Sequence, residues 1–300
     1  MIEVKNVSKK YKDFKALDNI SFNVNNGEVV GFVGINGAGK TTTIKISAGV
    51  LKPTTGSVEI DGFDISKNKV EASKRIGWVP ELPVFEENFK AIDYFKYLAG
   101  YYKIGGKEAE ELGIKLFEET GIINAKNKKL KEFSQGMKKR FALAVSMIAN
   151  PSNYLFDEVL NGLDPQGIVF FREFANRAKK ENKAVLFSSH ILSEVQNIAD
   201  RVIIIHKGKI LAIKNMDEVV KESKKAIRIA INNPDVNILN VLSKFGEVNK
   251  INDDVFEIKG EVSSEYINEL LVKAGYKVSK IEQVGGLEEY FLNLIGEKVE

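Results

Sequence analysis

The run Gly34-Ile35-Asn36-Gly37-Ala38-Gly39-Lys40-Thr41 has the spacing G-x-x-x-x-G-K-[ST]. Glycines at these positions let the backbone curl so that successive N–H groups point inward, which makes a cradle for phosphate. A helix beginning where the run ends adds about half a positive charge at the same place. Lys40 is then placed to reach the β- and γ-phosphates, and the Thr41 hydroxyl is an oxygen ligand for Mg²⁺, with Thr42 one residue further into the positive helix end. No acidic residue lies in the run to oppose an anion. A phosphate-bound cation also needs a carboxylate, and Tyr154-Leu155-Phe156-Asp157-Glu158 supplies two where an apolar strand would emerge at the carboxyl edge of a sheet. Asp157 is expected to hold Mg²⁺ through water, and Glu158 to orient and polarise the water attacking the γ-phosphate. These residues define a nucleoside triphosphatase site and leave kinase and GTPase chemistry open.

Such a site needs strands that end side by side. Short β-branched runs at Ile2–Val7, Ile20–Val24 and Val29–Val33 lead to the glycine-rich turn, and Thr41–Gly49 reads as a helix. Apolar strands at Tyr154–Phe156, Ala184–Phe187 and Val202–Ile205 alternate with helical stretches around Phe141–Met147, Val169–Ala178 and Ile191–Ile198. That alternation predicts a parallel, helix-covered α/β core. Residues 89–122 read as a mainly helical insert, with Phe89, Ile92, Phe95, Tyr97, Leu112 and Phe117 on its apolar faces. After Glu222 the order becomes strand Ile227–Ile231, helix Val236–Leu242, strands Glu247–Ile251 and Val255–Ile258, helix Glu265–Lys273 and strand Tyr276–Ile281. This βαββαβ order is the ferredoxin-like pattern. A last helix places Leu287, Tyr290, Phe291 and Leu294 at i, i+3, i+4 and i+7, with Gly296 as its stop.

Composition narrows the chemistry further. The chain has 300 residues, 44% hydrophobic and 28% charged, which is ordinary for globular protein. It has no cysteine, so thiol catalysis, disulfides and iron–sulfur ligation are excluded, and with His190 and His206 its two histidines a structural zinc cluster is excluded too. Any metal is expected on oxygen. The net charge of +3 is too small to imply nucleic-acid binding, and it is unevenly spread. Residues 222–300 carry 10 Lys+Arg against 14 Asp+Glu, net −4, leaving +7 on residues 1–221, as for two different modules. Apolar runs are far shorter than the roughly 20 residues that cross a bilayer, and Met1-Ile2-Glu3-Val4-Lys5 lacks a signal-peptide layout, so a soluble, intracellular protein is expected.

A second anion site is expected at Phe133-Ser134-Gln135-Gly136-Met137, where Ser134 opens a helical stretch over Lys138–Ala149 and a hydroxyl, a glycine backbone and a helix N-terminus converge. One chain with one phosphate loop has no second nucleotide for it. The simplest occupant is the γ-phosphate held by another subunit, which would make ATP the glue of a dimer.

Taken in order, these motifs resemble the ATP-binding subunits of ABC transporters, over about residues 1–221. Gly34–Thr41 is similar to Walker A, Ser134–Met137 (Ser134, Gln135, Gly136, Met137) to the ABC signature, and Leu155–Glu158 to Walker B. Asn161-Gly162-Leu163-Asp164 resembles the D-loop that touches the opposite subunit, and His190 the switch histidine that contacts the γ-phosphate. Tyr11 matches the aromatic residue that stacks on adenine. Two positions depart: Gln135 stands where the family has the first of two glycines, and Glu81 where the Q-loop has glutamine, so that Mg²⁺ contact stays open to it and hydrogen-bond donation does not. Glu81, its lead-in Ile76–Pro80 and the terminal Leu287–Phe291 resemble the drug- or antibiotic-export type.

The resemblance implies a P-loop NTPase core, 1–221, with a helical subdomain at about 89–150; the βαββαβ order beyond it is expected to form an accessory or regulatory α+β domain, 222–300. The resemblance also implies an ATPase using ATP and Mg²⁺, with Glu158, His190 and Lys40 catalytic and a second ATP-binding subunit, in a homodimer, as partner. An integral-membrane permease serving export is expected to dock on Leu82–Phe95, with Pro83, Val84 and Phe85 exposed or, alternatively, packed internally, so that this chain lies in the cytoplasm, peripheral on the inner face of the cell membrane. The other function considered is a soluble ABC-type ATPase acting on nucleic acid or ribosomes. The paired cassettes, long coiled coils or basic arms common in such proteins are not seen in the sequence.

Overall fold

A computed structural model describes residues 1–223, 226–260 and 263–296. The chain forms two compact units, Met1–Lys214 and a second from Asn215 onward. In the first, two long strands, β1 (Ile2–Tyr11) and β2 (Phe14–Val24), form a hairpin that precedes β3 (Val29–Val33), the phosphate loop and α1 (Lys40–Ser47). Then come β4 (Thr55–Ile60), β5 (Phe63–Asp64), α2 (Lys69–Ser73) and β6 (Ile76–Val79), followed by helices α3 (Ala91–Gly100), α4 (Gly106–Glu119) and α5 (Gln135–Ser146). The unit closes with β7 (Asn153–Phe156), α6 (Pro165–Lys180), β8 (Ala184–Ser189), α7 (Leu192–Ile198), β9 (Arg201–His206) and β10 (Lys209–Asn215).

Strands β9, β3, β8, β7 and β6 lie side by side in parallel, with β10 beyond β9. Every residue of β3, β7 and β8 is buried, which is why these strands read as uninterrupted apolar runs. A separate antiparallel sheet, ordered β2-β1-β4-β5, shares a core with this one: Val4, Leu17 and Val58 pack with Phe32, Leu155 and Ile203. Among α3, α4 and α5 the core is aromatic, with Phe95 on Phe117, and Phe117, Phe133 and Phe85 all on the Phe141 ring.

Phe85 therefore faces inward, 4.9 Å from Phe141 between ring centres, and Pro83 is half-buried. Of the three residues expected on the surface only Val84 is there, 90% exposed, with Leu82 beside it at 74%. The aromatic cluster claims Phe85 because ring burial recovers far more than surface display.

The second unit contains α8 (Met216–Glu222), β11 (Ala226–Asn232), α9 (Ile238–Leu242), β12 (Glu247–Lys250), β13 (Val255–Lys259), α10 (Ser264–Lys273), β14 (Lys277–Val284) and α11 (Leu287–Gly296). Its sheet is ordered β12-β13-β11-β14 with every pairing antiparallel, which is ferredoxin-like topology. Ile227, Ile229 and Ile231 of β11 pack with Leu242, Ile267 and Leu271 to fill its core. Among the described residues no helix is long and apolar enough to cross a membrane.

The packing of β6 against β7 permits no side chain at Gly77, where a Cβ would lie 2.5 Å from the Ser146 carbonyl oxygen and 2.7 Å from the Tyr154 ring. Gly77→Ala is expected to cost about 2 kcal/mol, as overpacking does. Urea unfolding of the full chain, followed by fluorescence of Trp78, its single tryptophan, measures this; an unshifted midpoint would mean the Ser146 backbone yields.

Candidate functional site

Because the five parallel strands run the same way, the loops leaving β3, β7 and β8 gather at one edge. The phosphate loop closes tightly there: Gly39 has φ +116°, and a Cβ on it would meet the Leu17 side chain at 2.7 Å. Only glycine fits both demands. Gly39 caps α1, whose first turn carries no acid. Lys40 turns back over the loop and donates to the carbonyls of Gly34 at 2.7 Å and Ile35 at 3.3 Å, and its ammonium lies 3.2 Å from Glu158 Oε1. Both partners are almost wholly buried, so this pair is far less screened than a surface one.

The carboxylates of β7 emerge opposite. Thr41 Oγ1 donates to Asp157 Oδ1 at 3.1 Å and Ser188 Oγ donates to the same oxygen at 2.9 Å. Asp157 Oδ2 is buried and has no partner within the protein. Burial pushes the Asp157 carboxyl above its ordinary range, against the pull of the Ser188 and Thr41 hydroxyls, and the charges of Glu81 and Glu158 push the same way as burial. Glu158 Oε2 lies 3.1 Å from His190 Nδ1 and accepts from Asn161 Nδ2, also at 3.1 Å. Thus Lys40, Thr41, Asp157, Glu158 and His190, far apart in sequence, meet in one place.

Lys40, Thr41, Glu158 and His190 border a cavity of about 440 Å³ that also takes in Tyr11, Asn36, Gly37, Thr42 and Glu81. Tyr11 sits at its mouth, with the Lys9 ammonium 5.0 Å from its ring centre. Phe14 lies beside it, paired with Tyr11 across the β1–β2 turn, so two exposed aromatic rings flank the opening. Phe14 and Ser188 belong to this site and escape motif reading, while Asn161, read as part of the D-loop, also reaches it through Glu158. For Phe14 the signal available was its position directly after the two turn residues Lys12 and Asp13, three residues from Tyr11.

Ser134, Gln135, Gly136 and Met137 border a different cavity, of about 590 Å³, with Lys128, Arg140 and Asp164. The two cavities have no lining residue in common. Ser134 caps α5, its Oγ accepting from the Met137 N–H at 3.2 Å, which leaves the hydroxyl proton free to be donated. Gln135 opens the helix itself. Asp164 caps α6 by accepting from the Gly167 N–H at 3.0 Å and pairs with Arg140, whose guanidinium holds its carboxyl below the usual range.

Residues 17–161 match the ABC transporter domain family. The chain is 34% identical over 303 residues to the bacitracin transport ATP-binding protein BcrA of Bacillus licheniformis, covering 99% of this chain and 97% of that one. It is 35% identical over 217 residues to the lantibiotic transport ATP-binding protein SrtF of Streptococcus pyogenes, covering 72% of this chain and 92% of the relative. Among solved structures, the ATP-binding subunit of an ABC transporter superposes with a TM-score of 0.69 at 29% identity, covering 74% of this chain and 92% of that one. The cassette MJ0796, solved as a dimer in a post-hydrolysis state bound to ADP and Pi, shares the fold, with a TM-score of 0.65 at 24% identity over 72% of this chain and 98% of its own. The chain belongs to the ABC transporter family as an ATP-binding, ATP-hydrolysing subunit. Its relatives are transport proteins by name, which disfavours a role on nucleic acid or ribosomes.

The upward push on Asp157 has a sign that can be worked out. A carboxyl whose value is raised by folding lends stability below about pH 4 and loses it as pH rises through the raised value. At pH 7 the ionised, buried Asp157 therefore burdens the folded protein. Asp157→Asn is expected to raise the thermal midpoint at pH 7, in the presence of a chelator, by a few degrees, with the difference shrinking toward pH 4. A lowered midpoint at pH 7 would mean the Thr41 and Ser188 hydrogen bonds outweigh the burial of charge.

Proposed function

We propose that two copies of this chain close over two Mg-ATP molecules, and that hydrolysis reopens them to drive a membrane permease in the export of a drug-like or peptide antibiotic. The observation that carries this reading is the separation of the two anion-binding surfaces. The phosphate loop, Glu158 and His190 border one cavity, while the Ser134 segment borders another with no shared residue. A single protomer cannot bring both to one triphosphate. A second protomer can, with Ser134 donating its hydroxyl proton to the γ-phosphate bound by its partner and the Gly136 backbone lying close to the same oxygens. The dimeric state of MJ0796 and the transport names of the relatives support the same arrangement.

Each residue then has a role. Tyr11 stacks on adenine, worth about 1–3 kcal/mol per base, and Phe14 flanks it. The backbone of Gly34–Gly39 and the side chains of Lys40 and Thr42 hold phosphate. The orphaned Asp157 Oδ2 beside the Thr41 hydroxyl fits a hard cation with oxygen ligands, so Thr41 and Asp157 would hold Mg²⁺, with Glu81 within reach as a further carboxylate. When bound, the ion supplies neutralisation of charge on the phosphate oxygens.

Within the protein, Lys40 is engaged by Glu158. Phosphate oxygens compete for that ammonium, and the freed Glu158 can accept a hydrogen bond from water, with Asn161 and His190 keeping its other oxygen in place. Removing the γ-phosphate removes the charge both protomers share, so the closed dimer loses its differential stabilisation. The permease would dock on the exposed Leu82 and Val84, which places the chain at the cytoplasmic face of the membrane.

Two measurements test this. Glu158→Gln keeps the hydrogen-bonding shape but not the base, so ATP turnover should fall about 10²–10⁴-fold while an ATP-dependent dimer accumulates on size exclusion. Turnover near wild type would remove Glu158 from the reaction. Val84→Glu should leave basal ATPase unchanged and abolish co-purification with the permease; intact co-purification and transport would move the dock elsewhere.

A further inference from the structure

Helix α5 presents Gly136, Lys139 and Arg140 on one face, at i, i+3 and i+4. That face lies against the loop after β7. A Cβ at position 136 would stand 2.9 Å from the Gly162 carbonyl oxygen. Arg140 pairs with Asp164 and donates to the Thr120 carbonyl at 3.3 Å. Lys139 donates to the backbone carbonyl of Glu158. The three consecutive cations of Lys138-Lys139-Arg140 thus take three different partners, since Lys138 turns the other way to Glu87 at 2.6 Å.

Lys139 is the unusual one. It is 4% exposed, and the ammonium of a buried lysine is costly unless something specific compensates it. Its compensation is the Glu158 carbonyl together with the nearby charges of Glu158, Glu81 and Asp157; burial still pushes its ammonium below the ordinary value. What it holds is unusual as well. Glu158 has φ +46°, in the left-handed region that costs a side-chain-bearing residue about 1–2 kcal/mol. That conformation turns its carboxylate toward Lys40 and His190, and three bonds fix it. The Glu158 N–H donates to Ser188 Oγ at 2.8 Å, and its carbonyl accepts from the Asn161 N–H at 3.2 Å and from Lys139.

We propose that Lys139 is a positioning residue for hydrolysis, tying the helix that engages the partner's ATP to the backbone of the glutamate that acts on the chain's own ATP. The inference rests on the two-protomer reading above and deepens it. Ser134 and Lys139 stand on one rigid helix five residues apart. Seating Ser134 on the partner's γ-phosphate therefore fixes where Lys139 holds Glu158, and each site becomes competent when the other is closed. A merely structural lysine would affect stability alone; a positioning lysine affects turnover and the cooperativity between sites.

The test uses the purified full chain with Lys139→Met, Lys139→Arg and Lys139→Gln, measuring ATPase rate against ATP concentration. Lys139→Met should lower kcat about 100-fold with KM changed less than about twofold, as a misplaced catalytic group does. It should also reduce the Hill coefficient from about 2 to about 1, two being the number of sites. Lys139→Arg, which keeps a donor on a long arm, should recover most of kcat and the cooperativity. If Lys139→Met does not fold, Lys139→Gln carries the same comparison, since its shorter neutral arm cannot reach as far. In the Glu158→Gln background, Lys139→Met should still form the ATP-dependent dimer. A folded Lys139→Met or Lys139→Gln with wild-type kcat and Hill coefficient would overturn the role of Lys139, as would a change confined to KM. Failure of Glu158→Gln alone to dimerise with ATP would instead overturn the two-protomer reading.

Discussion

Four ionisable side chains, Lys40, Lys139, Asp157 and Glu158, are each less than a tenth exposed and gather at one edge of the parallel sheet. Taking a charge out of water costs several kcal/mol unless partners compensate it, and removing one partner leaves another uncompensated. The cluster is therefore a constraint on everything that carries it. Strand β7 must deliver its acids where α1 begins, α5 must bring Lys139 to the Glu158 carbonyl, and β8 must place the Ser188 hydroxyl between Asp157 and the Glu158 N–H. Five parallel strands ending together satisfy all three demands. The antiparallel sheet is freer of them, and its β1–β2 pairing is interrupted by several register shifts.

The cluster is balanced but not saturated. Lys40 has two carbonyls and one carboxylate, yet Asp157 keeps a buried oxygen with no partner in the protein. A buried polar atom left without a partner calls for an explanation, and at a site built of phosphate-binding residues a bound cation supplies one. The unsatisfied oxygen and the left-handed Glu158 both stand at the point where the ligand would complete the charge balance, which is where strain is expected to be stored.

What was legible in the sequence follows from how the information is written along the chain. The phosphate loop and the acids after β7 are contiguous motifs, and the strands that carry them are buried on both faces, so Val29–Val33 and Tyr154–Phe156 read directly. The βαββαβ order of the second unit was equally plain, because alternation of elements survives small errors in their ends: α9 begins at Ile238 instead of Val236. Strands β4, β5, β6 and β10 were not read, being short or only partly buried. Long-range partnership was not written locally either. Lys139 sits in a Lys-Lys-Arg run that looks like a solvated face, and its partner lies 19 residues away. Phe85 looks like a surface anchor until α5 supplies the ring it packs on.

The same distinction separates the two ends of α5. Its N-terminus, at Ser134, is open and capped by a hydroxyl that still has a proton to give. Its next turn is closed, with Lys139 and Arg140 fastened to the loop from Glu158 to Asp164. A helix is stiff over this distance, because each residue is bonded to the turn before it. An anion arriving at the open end therefore cannot shift the helix without moving the closed one, and moving that end displaces the carbonyl of the residue whose side chain faces Lys40. Two surfaces that share no lining residue within a protomer are in this way connected by one turn and a half of helix.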